Sequence, residues 1–126
     1  MGLCAWIVEK FFAWSDCKGN IERVFTKDEL LANITLYWVT ETIHSSIRLY
    51  GESRKSPLHF TKDEFVKVPV GIARFPMEDA VPPRKYIERG YNIQHWTEMP
   101  EGGHFAASEQ PKLLAGDIRK FFYALL

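Results

Sequence analysis

VKVPVGIARFPMEDAVPPRKYIERGYNIQHWTEMPEGGHFAASEQP, residues 66–111, is the stretch whose reading decides the fold. Its first residues set Val66, Val68, Val70 and Ile72 between Lys67, Pro69, Gly71 and Ala73. That period of two sends alternate side chains to opposite faces of a strand. Pro69 has no amide hydrogen to give a ladder, so an irregularity is expected there. Phe75-Pro76 ends the strand, and Pro82-Pro83 opens a short helix reaching about Arg89. Tyr91 to Trp96 reads as a second strand, Pro100 to Gly103 as a turn. Residues 109–125 place Leu114, Ile118, Phe121, Phe122 and Leu125 on one helical face, with Pro111 helping to start the helix. The order is strand, helix, strand, helix. The separation between the strands, roughly a dozen residues or more, suits a parallel crossover, and the fold class is α/β.

Upstream of this unit the chain reads as helical. Cys4, Ile7, Val8, Phe11 and Phe12 recur at helical spacing over residues 3–15, and Asp16 to Asn20 forms a loop. Thr26-Lys27-Asp28-Glu29 is a capping-box pattern, in which the threonine hydroxyl and the glutamate satisfy each other's backbone amides. Leu36, Val39, Ile43, Ile47 and Tyr50 then share a stripe, which is expected to end or bend near Thr40-Glu41-Thr42, where β-branched residues weaken a helix. Gly51 to Pro57 reads as a polar connector. TKDE occurs at 26 and at 61, but the residues that follow have different periods, so it is no repeat.

Composition narrows the function classes. The chain has 126 residues, 46% of them hydrophobic, which is enough for one folded domain with a modest core. Sixteen basic residues balance sixteen acidic ones, so no net field recruits nucleic acid, and no basic run with interleaved aromatics appears. Cys4 and Cys17 lack zinc-type pairing and read as reduced thiols in or near the first helix. Glu9 and Lys10 interrupt the apolar start, which reads as neither signal peptide nor membrane span. That leaves the compartment open, with the cytoplasm as default. The sequon Asn33-Ile34-Thr35 lies inside a helical pattern and reads as chance.

Glu78 follows the first strand and His104 the second. Parallel strands deliver their C-terminal ends to one sheet edge, where ligands bind in open α/β folds. Neighbouring strands lie about 4.8 Å apart, so a carboxylate and an imidazole on adjacent loops can meet. The carboxylate would fix the ring's tautomer and stabilise the imidazolium. Acid before histidine is the chain order of the α/β-hydrolase triad, but no G-x-S-x-G or G-x-D-x-G elbow and no HG-type loop occurs. The alternative is a turn histidine that caps the next helix. Asp79 rivals Glu78 for the acid role. His44 and His59 read as surface residues, His95 beside Trp96 as a packed one, and Tyr37 and Trp38 as packing residues. The four dispersed histidines form no metal pattern, and no cofactor motif is present.

The stretches LLANITLYWVTETIHSSIRLY, VPVGIARFPMEDAVPPRKY and YNIQHWTEMPEGGHFAASEQPKLLAGDIRKFF together resemble the C-terminal part of epoxide hydrolases of the microsomal and juvenile-hormone type. The match runs through nearly the whole chain, and GGHFAA-x-E-x-P with F-P-x-E carries it. The resemblance implies a partial α/β-hydrolase fold: residues 1–56 as the end of a helical cap, and 57–126 as the last two parallel strand–helix units of the core. In that family an aspartate opens the epoxide and becomes an ester, a His–carboxylate pair activates water, and cap tyrosines protonate the epoxide oxygen. By resemblance His104 is the general base, Glu78 the charge-relay acid and Tyr50 a proton donor. The implied substrate is a small apolar epoxide.

Two departures stand out. The nucleophile, the oxyanion residues and the other cap tyrosine are expected in sequence that this chain lacks. The implied partner is therefore the missing N-terminal half, or a second copy. The family also tends to have glycine where Glu41 stands, so a larger charged side chain there is expected to disturb packing or the cap cavity. Alternatively, Glu41 and His44 form a local ion pair. A non-catalytic α/β-hydrolase remnant that binds an apolar ligand or a partner, and an unrelated α+β binding domain, are the competing readings.

Overall fold

The computed structural model describes residues 1–57, 61, 64–78 and 81–126; His59 and Asp79 lie outside the described residues. Two strands, β1 (Val66–Arg74) and β2 (Tyr91–Glu98), pair in parallel, joined by a crossover containing the short helix α4 (Arg84–Ile87). The register slips twice, between Val66 and Pro69 and between Val70 and Gly71. The first slip sits where Pro69 withholds its donor, as expected. The strict alternation does not carry through to burial, because Val68 is exposed while Val66, Val70 and Ile72 are half-buried.

Helix α6 (Pro111–Tyr123) lies against one face of this pair. A Cβ on Gly71 would stand 3.0 Å from the Phe121 ring, so glycine lets the helix approach β1 closely. The helix begins at Pro111 rather than at 109. A separate turn, α5 (Ala106–Glu109), precedes it, with Gln110 at φ −135°, ψ 57° between them. The cause is local: proline at the first helical position bars its predecessor from helical geometry.

The N-terminal part is helical as expected, with α1 at Gly2–Trp14, a 3₁₀ turn at Ile21–Arg23, α2 at Lys27–Thr40 and α3 at Ile43–Lys55. Both halves of the capping box form at α2: Thr26 N–H donates to Glu29 Oε2 at 2.7 Å, and Glu29 N–H to Thr26 Oγ1 at 3.2 Å. Phe11, Phe25 and Phe105 make the tightest aromatic cluster, with Phe11 stacked on Phe105 at 4.2 Å and edge-on to Phe25 at 4.9 Å. It locks α1 and the 3₁₀ segment to the loop after β2. Cys17 is buried and Cys4 exposed, both as free thiols. Residues 51–55 are helical, so the expected connector at Gly51–Pro57 is mostly the last turn of α3. Lys55 bonds Glu52 one turn back at 3.2 Å, which supports a polar helix end.

The break between α2 and α3 falls at Glu41, whose φ of 56° and ψ of 28° are left-handed. Glycine would adopt this cap without steric cost, and a residue with a Cβ does not. Among the described residues Glu41 and His44 make no ion pair. Glu41→Gly is expected to stabilise the fold by up to about 1 kcal/mol. An unchanged or lowered chemical-denaturation midpoint would contradict this account of the position.

A folded monomer of this mass, 14.6 kDa, exposes about 6,900 Å² by the usual scaling; this chain exposes 9790 Å². Leu36, Trp38 and Val39 on α2, Leu49 on α3 and Phe122 on α6 all face solvent. A two-stranded sheet is too narrow to cover so many apolar helix faces. No helix among the described residues is long and apolar enough to cross a membrane.

Candidate active site

The loop after β2 is shaped by close contacts. Met99 N–H donates to Arg74 O at 2.8 Å, carrying the pairing one step beyond the strands. Gly102 then adopts φ 104°, where a Cβ would stand 2.8 Å from the Phe75 ring. Gly103 runs so near the end of α1 that a Cβ would lie 2.5 Å from the Trp14 carbonyl oxygen. The next residue uses that proximity: His104 N–H donates to Trp14 O at 2.9 Å. Both glycines are therefore required, one by its conformation and one by close approach.

The loop after β1 is equally constrained. Phe75 is buried, and Glu78 N–H donates to Phe75 O at 3.2 Å, closing a tight turn. Met77 N–H donates to Gly102 O at 3.1 Å, which ties the two loops together. The result is a direct contact of 2.8 Å between His104 Nδ1 and Glu78 Oε2. An ionised carboxylate only accepts, so Nδ1 carries the hydrogen and donates. Nε2 is left with its lone pair, the atom a general base needs. The Trp14 ring lies 5.0 Å from the imidazole and the Phe105 ring 5.1 Å, fixing the plane of His104.

A cavity of about 420 Å³ opens beside His104. Its walls come from α1, α2, α3 and the His104 loop, and they are mainly aromatic: Trp6, Phe11, Trp14, Tyr37, Tyr50 and Phe105. His104, Tyr37 on α2 and Tyr50 on α3 all line it. Of the three residues singled out from sequence, His104 meets Glu78 directly and shares the cavity with Tyr50, while Glu78 is not part of the cavity lining. Tyr37, expected to be packing, lines the same space. His44 is exposed on α3, and among the described residues no three His, Cys, Asp or Glu side chains converge as a metal site.

Sequence reading missed two carboxylate sets. Glu109 and Asp16 accept backbone hydrogens around the His104 loop, with Glu109 Oε1 taking Phe105 N–H at 2.9 Å and Asp16 Oδ2 taking Gly102 N–H at 3.1 Å. Asp117, on the helical face assigned to packing, is buried and accepts from Thr97 Oγ1 at 2.7 Å. His95 Nε2 lies 2.8 Å from the same Asp117 oxygen, so this histidine ties β2 to α6. Asp16 lies in a loop and Glu109, within the GGHFAA-x-E-x-P stretch, carries no role of its own in the sequence reading, while Asp117 is a single polar residue on an otherwise apolar helical face.

Burial works to raise the Asp117 pKa. The hydrogen bonds from Thr97 and His95, with the positive charges of His95 and Lys120, outweigh it and hold the group below its ordinary value of 3.8. A carboxyl depressed on folding stabilises the fold above its unfolded pKa, and that contribution is lost as pH falls through the folded value. Below about pH 4, stability of the wild type is therefore expected to fall more steeply than that of Asp117→Asn. Parallel acid limbs in urea titrations of the two would show that Asp117 has no such linkage.

No protein-family model matches the chain. It is 45% identical over 130 residues to epoxide hydrolase 1 of Sus scrofa, covering 96% of this chain and 29% of that protein. It is 40% identical over 126 residues to juvenile hormone epoxide hydrolase 1 of Ctenocephalides felis, covering 93% of this chain and 27% of that protein. Among solved structures, juvenile hormone epoxide hydrolase from Bombyx mori superposes with a TM-score of 0.84 at 35% identity, covering 98% of this chain and 33% of that one. An enantioselective mutant epoxide hydrolase from Aspergillus niger gives 0.80 at 32% identity, with 97% and 30% covered. The chain thus spans less than a third of the curated relatives it matches, and its strand–helix units form a partial α/β-hydrolase fold. Over this stretch the chain is similar in sequence and fold to epoxide hydrolases, among them juvenile hormone epoxide hydrolases.

Proposed function

We propose that this chain supplies the hydrolytic half of an epoxide hydrolase site, acting on a small apolar epoxide to give a vicinal diol. His104 Nε2 removes a proton from water as the water attacks an aspartyl ester; Glu78 holds the ring's tautomer and stabilises the imidazolium. Tyr50, from the roof of the cavity, protonates the epoxide oxygen as the ring opens, since a leaving alkoxide needs an acid. Residues 1–56 serve as the end of the cap and 57–126 as core. The aspartate that forms the ester comes from a second polypeptide segment, which covers the exposed apolar faces of α2, α3 and α6. No metal or cofactor enters this chemistry.

The observation that carries this reading is the 2.8 Å contact between Glu78 and His104 Nδ1, with His104 lining an aromatic-rich cavity that Tyr50 also lines. The aromatic residues of the cavity suit an apolar substrate. The test is complementation. This chain is mixed with, or fused to, the remaining part of a relative that carries the nucleophile, and diol is measured from a styrene-oxide-type epoxide. Turnover that requires His104 and falls on Tyr50→Phe supports the assignment. An assembled, folded complex that makes diol equally well with His104→Ala overturns it.

A further inference from the structure

We propose that Glu109 and Asp16 are positioning residues that hold the backbone of the His104 loop so that the imidazole stays on Glu78. The inference rests on the reading of His104 as the base, and it concerns two carboxylates that touch neither the ring nor the cavity. Glu109 uses both its oxygens on backbone hydrogens. Oε1 accepts from Phe105 N–H, the residue after the histidine, at 2.9 Å, and Oε2 accepts from Asp16 N–H at 2.7 Å. Asp16 in turn accepts from Gly102 N–H at 3.1 Å, two residues before the histidine.

The two acids thus form a linked bracket. The Asp16 carboxylate grips the entrance of the loop while its own amide is gripped by Glu109, which also grips the exit. Between them His104 N–H is held by Trp14 O at 2.9 Å. Three backbone donors within residues 102–105 therefore end on groups from the α1 terminus and α5, and none of the three is tied to the sheet. Charge-assisted bonds to carboxylates are shorter and stronger than neutral ones, so they can hold a glycine-rich turn that would otherwise sample many conformations. Removing either acid leaves the side chains of His104 and Glu78 intact but frees the backbone that aims one at the other.

The test reads the ring directly. In ¹⁵N-histidine spectra of the 126-residue chain, neutral His104 is expected mainly as the Nδ1–H tautomer, because Glu78 accepts from that nitrogen. Glu109→Gln, Glu109→Ala and Asp16→Asn should each shift its tautomer ratio toward Nε2–H by up to about tenfold, the scale of one lost hydrogen bond. His95, held by Asp117 on the α6 side, is the internal control and should not move. An unchanged His104 ratio in all three variants overturns the proposal. So does a His104 change that His95 matches, since that marks general loosening; isosteric Glu109→Gln keeps the comparison usable where Glu109→Ala folds poorly. Because the readout is the tautomer, failure of the complementation assay leaves this result standing, and the reverse also holds.

Discussion

Given a styrene-oxide-type epoxide, the 126-residue chain by itself is expected to form diol no faster than its own His104→Ala variant. In the proposed mechanism the base acts on an ester, and no G-x-D-x-G elbow to make one occurs in the sequence. Groups that operate as a unit lose nearly everything when one member is gone, and residual catalysis would need oxyanion donors, for which the sequence has no HG-type loop. Once complemented, the same substitution should have the opposite prominence. His104→Ala should lower diol formation by about 10³-fold or more, with the alkylated aspartate accumulating in the nucleophile-bearing segment. Mass spectrometry of that segment distinguishes the two steps. Ester build-up with His104→Ala places the histidine in hydrolysis, whereas its absence places the defect before ring opening. Rapid, His104-dependent diol formation by the lone chain would mean that a nucleophile within it has been overlooked.

Gly103→Ala is expected to be a strongly destabilising single-methyl change. The added carbon would stand 2.5 Å from Trp14 O, 3.1 Å from Ser15 Cα and 3.2 Å from Asp16 N. All three are backbone atoms, so no flexible side chain can swing aside. Relief requires moving the loop off α1, which breaks the His104 N–H bond to Trp14 O. Overpacking costs about 1–3 kcal/mol, and the lost hydrogen bond adds about 1 kcal/mol. Gly116→Ala is the matched control, since nothing lies within 4 Å of its Cβ position and it sits inside α6. There alanine should stabilise by up to about 1 kcal/mol. Denaturant midpoints that fall equally for both, or for neither, would contradict the close-approach explanation.

The parts of this molecule with periodic signatures were legible in its sequence. Alternating valines marked β1, the dozen-residue spacing marked a parallel pair, and the placement of Glu78 and His104 after successive strands brought them within reach. The capping box at Thr26 and Glu29 formed as its spacing requires. What could not be read were features that depend on where loops meet. Glu109 and Asp16 are 93 residues apart and meet only because α1 runs alongside the turn after β2. Asp117 lies on a helix whose apolar stripe hid the one polar side chain facing a histidine and a threonine. The extension of α3 through Gly51 went unread because glycine and charged residues resemble a linker when nothing packs on them. At Glu41 the break was placed correctly but for the wrong reason: the β-branched threonines accompany a left-handed residue that composition alone does not reveal.

The surplus of exposed surface has a thermodynamic corollary. A polypeptide that covers those helix faces binds the folded chain and not the unfolded one, so it acts on stability as a ligand does. The midpoint of thermal unfolding then ceases to be a constant of the chain and climbs with the logarithm of the covering partner's concentration. At 100 times its dissociation constant such a partner adds about 2.7 kcal/mol. Folding and assembly become one equilibrium, in which substitutions on the outer faces of α2 and α6 register as changes in melting temperature only when the partner is present.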